Sequence, residues 1–349
     1  MRTKLCVVII GGVLFTFVLF SLHSTSLLTQ RVMAMFTTNN SVIFAAHKDE
    51  DDGYLPFNKS AIISSLSVPG VRRIQANRQR RLQSVCKQFG RGRDVLNRDS
   101  IVDSDLSRIY VDDKYRFLYC EVPKVACTNW KRILLILTGK MNTTDPERLP
   151  SNLVHTDYQT NYLRTLNAYE PEEIALRIRR YYKFMFVREP LERILSAYRN
   201  KFVNRLNQRY PLRYGGKIIS RYRKKPTNHS LLYGDDVRFS EFVQYLLHLK
   251  ANSVFDVHWR PFYQICHPCW LRYNFIGKYE TLDDDVNFIL EELGVRHLLN
   301  FPEKPRSKTS KTVDILKSMF ANISSEAIHD LWRLYSVDYS LFGYPYPDL

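Results

Sequence analysis

The chain has 349 residues, of which 45% are hydrophobic and 13% aromatic, so it can bury a sizeable core and global disorder is excluded. Lysine and arginine number 51 against 35 acidic residues, a formal net charge of +16. This excess favours a polyanionic partner such as nucleic acid, an acidic membrane surface or an acidic polysaccharide.

The first element is an uncharged apolar run at residues 5–22, LCVVIIGGVLFTFVLFSL, which follows Arg2 and Lys4. As a helix this run would be about 27 Å long, close to the thickness of a hydrocarbon core. It is longer than the ~7–15-residue apolar region of a cleavable signal peptide, and HSTS after it is a poor cleavage site. We predict a type II signal anchor with a cytosolic tail at residues 1–4. A cleaved signal peptide is the alternative, and in both cases the rest of the chain faces a lumen.

Lumenal placement argues against a nucleic-acid partner and leaves an acidic glycan or a nucleotide. Five Asn-x-Ser/Thr triplets agree with this placement, although such triplets also arise by chance. Two of them, at Asn39 and Asn58, precede the predicted catalytic part. The expected glycosylation sites within it are Asn142, Asn228 and Asn322.

Residues 23–80 are mixed in composition and poorly periodic, and we predict a lumenal stem that holds a catalytic domain, residues 81–349, away from the membrane. The RQRR sequence at 78–81 resembles a proprotein-convertase site, which would allow shedding. A solvated basic helix is the favoured interpretation of the same residues.

From about residue 105 the pattern becomes α/β. The run FLYCEV at 117–122 suits a buried strand. The sequence after it predicts a helix that ends near Gly139. The apolar face of that helix recurs at helical spacing: Trp130, Ile133, Leu134 and Leu137.

A second unit repeats this plan. The run YYKFMFV at 181–187 predicts a strand, REP follows it, and Pro190 suits the first turn of the next helix. The helical sequence at 171–180 separates the two units. We therefore predict an α/β fold with a parallel, doubly wound sheet, in which ligands bind where the strands end and both loops lie.

Four of the six cysteines fit an oxidising compartment as two disulfides: Cys86, Cys120, Cys266 and Cys269. Four cysteines allow three connectivities, and the sequence does not choose among them. CHPC at 266–269 suggests zinc as an alternative, but a second Cys/His pair at metal spacing is lacking. Cys6 lies in the predicted anchor. Cys127 is predicted to fill a tight loop rather than act as a nucleophile, because no flanking histidine marks one.

The loop PKVACTN joins the first strand to its helix and has the features of a phosphate site. The amino terminus of a helix presents free N–H groups and the positive end of the helix dipole. Small residues let a phosphate approach the backbone, Lys124 and Lys131 add charge, and neither G-x-x-x-x-G-K-[ST] nor G-x-G-x-x-G is present. The residues expected to contact phosphate are Pro123, Lys124, Val125, Ala126, Cys127, Thr128 and Asn129.

The sequence PKVACTNWKR resembles the 5′-phosphosulfate loop of sulfotransferases, and VREPLERILSAYRNKF resembles their 3′-phosphate motif. The likeness runs from about Cys86 to the carboxyl terminus and includes GDDVRFSEFVQYL, CHPC, GKYETLDDDVNFIL and LFGY. It is strongest to Golgi carbohydrate sulfotransferases of the chondroitin 4-sulfotransferase type, with the HNK-1 and dermatan enzymes as near relatives. The resemblance implies a sulfotransferase fold and the sulfate donor PAPS, 3′-phosphoadenosine 5′-phosphosulfate.

The resemblance also implies roles for residues. Lys124 would neutralise charge on the departing phosphate, and Arg188 with Ser196 would hold the 3′-phosphate; an ion pair of Arg188 with Glu192 is the structural alternative. The second motif places these residues at the donor: Arg188, Glu189, Pro190, Leu191, Glu192, Arg193, Ile194, Leu195 and Ser196.

A general base should accept the proton of the acceptor hydroxyl. His155 lies between the two motifs and is the predicted base, with His258 and Glu189 as rivals. No metal is expected, because the loop and its lysines supply positive charge. Asp283, Asp284 and Asp285 resemble the Mn²⁺ motif of glycosyltransferases, but they open a predicted helix, where acids favour the dipole.

Further basic residues are expected to bind the carboxylates and sulfates of an acidic acceptor, although a solvated face would explain each one equally well. They are Arg193, Arg199, Lys201, Arg205 and the RYRKK sequence at 221–225.

Together these observations predict a single-pass type II enzyme of the Golgi membrane that transfers sulfate from PAPS to the 4-hydroxyl of N-acetylgalactosamine in chondroitin. The acceptor and position come from the resemblance alone. Desulfated dermatan, terminal N-acetylgalactosamine and the HNK-1 epitope are alternative acceptors. A Golgi glycosyltransferase and a basic, non-enzymatic glycan-binding protein are the alternative functions.

Overall fold

A computed structural model of the chain describes residues 68–88, 105–204, 208–249, 255–302 and 312–349. The predicted anchor at residues 5–22, the tail before it and most of the stem lie outside these ranges. Among the helices described, none has the length and apolar content needed to cross a membrane.

The described residues form a five-stranded sheet with the strand order β3-β1-β2-β4-β5. Strand β2 pairs in parallel with β4, and β4 pairs in parallel with β5, so that Phe184 lies opposite both Tyr119 and Phe275. The strands are β1 Ile109–Asp112, β2 Phe117–Cys120, β3 Arg164–Thr165, β4 Tyr182–Val187 and β5 Phe275–Lys278.

The sheet is mixed, and the prediction of a wholly parallel sheet is wrong at one edge. Strand β1 pairs antiparallel with β2 and with β3. Only residues 113–116 separate β1 from β2, which is too short for the crossover that a parallel pair needs. In this turn the Asp112 carboxylate accepts the Tyr115 N–H at 2.8 Å. The two predicted strand–loop–helix units begin with β2 and β4, and these two strands are parallel as predicted.

Helices cover the sheet, and several short 3₁₀ and π turns connect them. The predicted helices after both loops and at 171–180 are present. The helices are α1 Val68–Gln88, α2 Cys127–Leu137, α3 Ser151–Val154, α4 Asp157–Tyr162, α5 Pro171–Arg180, α6 Pro190–Tyr198, α7 Gly216–Tyr222, α8 Asn228–Tyr233, α9 Phe239–Leu247, α10 Phe262–Cys266, α11 Pro268–Leu271, α12 Leu282–Glu292, α13 Thr312–Phe320 and α14 Ser325–Phe342.

Aromatic side chains fix α2 on the sheet. Trp130 is almost fully buried, and its ring lies 5.5 Å from Tyr119, 4.9 Å from Phe184 and 5.1 Å from Phe186. Aromatic pairs at such distances contribute about 0.5–1.5 kcal/mol each beyond burial of their area. The packing sets the start of α2, and therefore the preceding loop, at the end of β2.

Helix α1 runs without a break through residues 80 and 81, where we expected the stem to meet the catalytic domain. Its Gln75 and Arg78 side chains donate to the Ile276 carbonyl in β5, and Arg78 pairs with the buried Asp285 at 2.8 Å. The RQRR sequence thus lies within a helix attached to the sheet.

Two disulfides, Cys86–Cys269 and Cys120–Cys266, confirm the predicted use of four cysteines and choose one of the three pairings. Both cysteines of CHPC are consumed, so they cannot supply thiolates to zinc. The second disulfide ties the end of β2 to α10. Loss of such a cross-link typically costs about 2–5 kcal/mol.

Candidate active site

The loop after β2 places its backbone in an unusual conformation. Lys124 has φ of 73° and Ala126 has φ of 58°, both in the left-handed region, although neither is glycine. Alternation of this kind turns successive N–H groups to one side and forms an anion-binding concavity. Helix α2 starts at Cys127 without a side-chain cap from any described residue. Its first amides are therefore available to an anion.

Lys124 carries a strongly perturbed amine. Burial lowers the pKa of Lys124 to about 8, and the positive charges of Lys201 and Arg188 act in the same direction. An ammonium kept from water and near other cations gains from an arriving anion. Lys124 is thus the type of group that a phosphate leaving group requires.

The loop after β4 is built differently. Glu189 caps α6 by accepting the Glu192 N–H, and Pro190 occupies the first turn. Arg188 pairs with Glu192 at 3.3 Å, as the structural alternative anticipated, and its guanidinium also lies over the Tyr279 ring at 4.4 Å. These contacts fix the guanidinium in one orientation.

Both loops open onto one cavity of about 510 Å³. Lys124 from the first loop, Arg188 from the second and Ser196 from α6 line it together, as the sequence predicted. Tyr279, which directly follows β5, completes that group. The remaining lining residues are Glu192, Leu195, Arg199, Asn200, Val203 and Asn204.

Not every residue of the two motifs can present its side chain to a ligand. Val125, Leu191 and Ile194 have no exposed surface and belong to the core, so only their backbone could contribute. The thiol of Cys127 is shielded as well, and burial raises its pKa, which agrees with the predicted loop filler rather than a nucleophile.

Arg193 corrects one prediction. We expected it to face the donor or the acidic acceptor, but its side chain is fully buried. It donates to the carbonyls of Pro123 at 3.1 Å, Val257 at 2.8 Å and Arg260 at 2.7 Å. One guanidinium thus joins the first loop to α6 and to the segment around His258, which is a positioning role.

His155 reaches the first loop. Its Nε2 atom lies 2.8 Å from Thr128 Oγ1, and its Nδ1 atom lies 3.2 Å from the Lys131 ammonium. Burial lowers the pKa of His155 to about 4, and Lys131 acts in the same direction. Lys131 in turn pairs with buried Glu121 at 2.6 Å. His155 is therefore a neutral ring at the start of α2.

His258 lies in a second polar cluster with Asp256 and Tyr210. Its Nδ1 atom is 2.7 Å from an Asp256 carboxylate oxygen and 2.9 Å from the Tyr210 hydroxyl. Lys201, expected to meet the acceptor, lies over the Tyr210 ring at 4.5 Å and interacts electrostatically with Lys124, His155 and His258.

Glu189, the other rival base, has a structural position. Its carboxylate accepts the Glu192 N–H and the Tyr339 hydroxyl. Burial raises the pKa of Glu189 to about 7. Both carboxylate oxygens are occupied in holding α6 against α14, so Glu189 is poorly placed to meet an acceptor.

Two of the other basic residues predicted to bind the acceptor are not seen to face it. Arg223 pairs with Asp236 at 2.6 Å and Glu241 at 2.8 Å, and Arg205 lies outside the described residues.

Asp285 accepts from the Lys278 N–H and pairs with Arg78, which agrees with a structural role at the start of α12. Within the described ranges no His, Cys, Asp and Glu side chains group as a metal site. The residues of the three predicted glycosylation sites are exposed: Asn142, Asn228 and Asn322.

Sequence reasoning missed Tyr279 as a cavity residue. A signal for it exists, because Tyr279 comes directly after the third parallel strand, β5, and the ends of parallel strands share one edge of the sheet. The strand has only four residues and was not recognised.

The chain is similar to known proteins over most of its length. The family model described as "Sulfotransferase family" matches residues 107–345. Carbohydrate sulfotransferase 11 of Mus musculus is 44% identical over 250 residues, 71% of this chain and 70% of that protein. Carbohydrate sulfotransferase 14 of Danio rerio is 40% identical over 276 residues, covering 79% and 72%. Carbohydrate sulfotransferase 9 of Homo sapiens is 33% identical over 297 residues, covering 84% and 65%.

No solved structure matches the chain significantly. The family match covers more than half of the chain, and the relatives are similar over most of it. The chain therefore belongs to the sulfotransferase family and is a sulfotransferase enzyme. Enzymes of this family generally take sulfate from PAPS.

Proposed function

We propose that this enzyme transfers sulfate from PAPS to the 4-hydroxyl of N-acetylgalactosamine in chondroitin, as a type II protein of the Golgi membrane. The observation that carries the sulfotransferase mechanism is the shared cavity, which Lys124, Arg188 and Ser196 line together. The carbohydrate acceptor is supported by relatives that are named carbohydrate sulfotransferases.

The residues present fit the donor. The loop at Lys124 combines left-handed backbone positions with an uncapped helix start, a combination suited to a 5′-phosphate. Arg188 and Ser196 supply a fixed guanidinium and a hydroxyl for the 3′-phosphate. When bound, PAPS supplies a sulfuryl group with a phosphate as its leaving group.

Lys124 neutralises the charge that develops as the bond to sulfur breaks. A donor placed in advance where charge develops contributes roughly 10²–10³ in rate. The amine must be protonated to do this. Burial lowers the pKa of Lys124 to about 8, but this value is still above neutral pH, so the charged form predominates there. His155 was the sequence-based candidate for the general base, and its contacts to Thr128 and Lys131 place it beside the same loop.

The Golgi location and the anchor rest on the apolar run at residues 5–22 and on lumenal features of the chain. The two disulfides suit an oxidising compartment. The exposed sequons at Asn142, Asn228 and Asn322 are open to glycosylation. Fractionation, protease protection and glycosidase digestion of the full chain test this placement.

The acceptor is tested by radiolabelled sulfate transfer. Chondroitin, desulfated dermatan and an HNK-1-type glycan are offered with PAPS, and disaccharide analysis locates the new sulfate. We expect 4-sulfated N-acetylgalactosamine from chondroitin as the main product. Label mainly in another acceptor, or at the 6-position, would contradict the proposed specificity while leaving the family assignment intact.

A further inference from the structure

We propose that His258 is the general base of the reaction and that Asp256 is its positioning residue. This inference rests on the proposed function and assigns the proton transfer to a residue other than His155. Three independent features support it: the place of His258 beside the first loop, the tautomer that its partners impose, and the occupation of both nitrogens of His155.

The first feature is a physical link between His258 and Lys124. Arg193 donates to the carbonyl of Pro123, which precedes Lys124, and to the carbonyl of Val257, which precedes His258. The two oxygens share one guanidinium, at 3.1 Å and 2.8 Å. A third bond, to the Arg260 carbonyl at 2.7 Å, holds the other side of the segment. The fully buried Arg193 thus fixes the backbone at His258 against the backbone at Lys124.

The second feature is the hydrogen-bonding state of His258. Asp256 lies 2.7 Å from Nδ1 and has a pKa lowered to about 2, so its carboxylate is ionised and can only accept. Nδ1 therefore carries the hydrogen in the neutral ring, and the lone pair is on Nε2. No described residue forms a hydrogen bond with Nε2, and the side chain keeps 19% of its surface exposed. A carboxylate that fixes the tautomer and stabilises the imidazolium is the arrangement that a histidine base needs.

The third feature is the hydrogen bonding of His155, whose tautomer is opposite to that of His258. The Lys131 ammonium lies 3.2 Å from Nδ1 and can only donate, so Nδ1 must be the acceptor. In the neutral ring Nε2 then carries the hydrogen and donates to Thr128 Oγ1 at 2.8 Å. The only lone pair of the ring faces a cation. This arrangement turns the hydroxyl hydrogen of Thr128 away from His155 and makes His155 a positioning residue for the first loop.

Burial, aided by two neighbouring cations, keeps His258 neutral before the reaction. Burial lowers the pKa of His258, and Lys201 and Arg193 act in the same direction, while Asp256 opposes them. The Tyr210 hydroxyl also lies within hydrogen-bond distance of His258 Nδ1, at 2.9 Å. His155 also interacts electrostatically with His258. A neutral base beside a carboxylate is ready to accept a proton at neutral pH.

In the proposed step the acceptor hydroxyl oxygen forms a bond to the sulfur of PAPS, and the bond from sulfur to the bridging phosphate oxygen breaks. The leaving 3′,5′-bisphosphate retains that electron pair. The hydroxyl proton passes to Nε2 of His258. The products are the sulfate ester and adenosine 3′,5′-bisphosphate, and His258 is left as an imidazolium paired with Asp256. The imidazolium then loses its proton to solvent.

The test uses the full chain with His258→Ala, His155→Ala and Asp256→Asn variants. We expect His258→Ala to lower kcat about 10²–10⁴-fold. Binding of adenosine 3′,5′-bisphosphate, measured by calorimetry, should change less than threefold. Added imidazole should restore part of the activity of His258→Ala, which it would not do for a lost structural contact. His155→Ala should instead mainly weaken nucleotide binding.

Asp256→Asn keeps the size of the side chain and therefore tests the pair even if His258→Ala folds poorly. Loss of the carboxylate removes the group that raises the pKa of His258, so the acidic limb of kcat should move to lower pH. The proposal is overturned if His258→Ala keeps kcat within fivefold of the wild type, or if imidazole rescues His155→Ala instead. A wild-type chain that neither binds the bisphosphate nor transfers sulfate would contradict the proposed function itself, a result distinguishable from the failure of His258 alone.

Discussion

The loops after β2 and β4 share a plan but differ at the start of their helices. In the first loop, Ala126 adopts a left-handed conformation, and no described side chain caps α2. In the second, Glu189 accepts the Glu192 N–H and Pro190 removes another donor from the first turn of α6. The first amides of α2 are therefore open to an anion, whereas at the start of α6 the Glu189 carboxylate already accepts one of the amides.

Under the proposed function, the two loops are two kinds of phosphate site within one fold. Free amides and a helix dipole stabilise charge through the backbone, which suits a group whose charge changes during reaction. A capped helix would have to recognise an anion with side chains, and Arg188 and Ser196 line the cavity beside α6. A planar guanidinium held by Glu192 and Tyr279 provides orientation, whereas the Lys124 ammonium provides a point charge.

The largest expected effect that separates the loops is that of Lys124→Ala. Because the ammonium acts on charge that develops during bond cleavage, kcat should fall roughly 10²–10³-fold. The affinity for adenosine 3′,5′-bisphosphate should change less than tenfold. Steady-state kinetics with varied PAPS and calorimetry of the bisphosphate measure the two quantities separately.

Lys124→Arg is the matched control, since it keeps a charge that does not titrate in this range. In the wild type, kcat/KM should decrease above about pH 8, where Lys124 loses its proton. That alkaline decrease should disappear in the arginine variant. A wild-type profile that stays flat to pH 10 would rule out a protonated Lys124 as the required form.

Arg188→Ala should have the reverse pattern. Loss of a charge-assisted contact costs about 1.5–3 kcal/mol, so the dissociation constant of the bisphosphate should rise roughly tenfold to hundredfold. Affinity for adenosine 5′-phosphate, which lacks the 3′-phosphate, should be nearly unchanged. Equal weakening of both nucleotides would mean that Arg188 does not contact the 3′-phosphate and only pairs with Glu192.

Much of this comparison was accessible from the sequence because the relevant signals are local. The apolar run before Pro123 and the helical spacing from Trp130 to Leu137 define a strand, a loop and a helix without knowledge of the fold. The same holds for the unit at Arg188. Parallel strands then bring both loops to one edge, as the cavity shows.

The rest depends on contacts between residues distant in sequence. Arg193 looks like a solvent-facing cation of a basic helix, but it is fully buried because three carbonyls from two other segments satisfy it. The roles of His155 and His258 depend on whether Lys131 or Asp256 faces Nδ1. Strand β1, whose pairing with β2 makes the sheet mixed, has too few residues to be recognised by periodicity.

A smaller effect is expected from Glu189→Ala. The helix cap contributes ~1 kcal/mol, and the Tyr339 hydroxyl would lose its acceptor, so the free energy of unfolding should decrease by about 2 kcal/mol. Glu189→Gln retains an acceptor oxygen and should lose less. Urea denaturation of the three proteins makes the comparison. Equal stability of all three would show that the second helix does not depend on its cap.

The smallest effect concerns Ala126→Gly. A left-handed alanine costs about 1–2 kcal/mol, which glycine relieves, while the flexibility of glycine in the unfolded chain costs about 0.5–1 kcal/mol. The unfolding free energy should therefore stay level or rise by up to about 1.5 kcal/mol. Ala175→Gly, inside α5, is the matched control and should lose about 0.5–1 kcal/mol. If urea denaturation shows the same decrease in unfolding free energy for both variants, the left-handed conformation at Ala126 carries no strain.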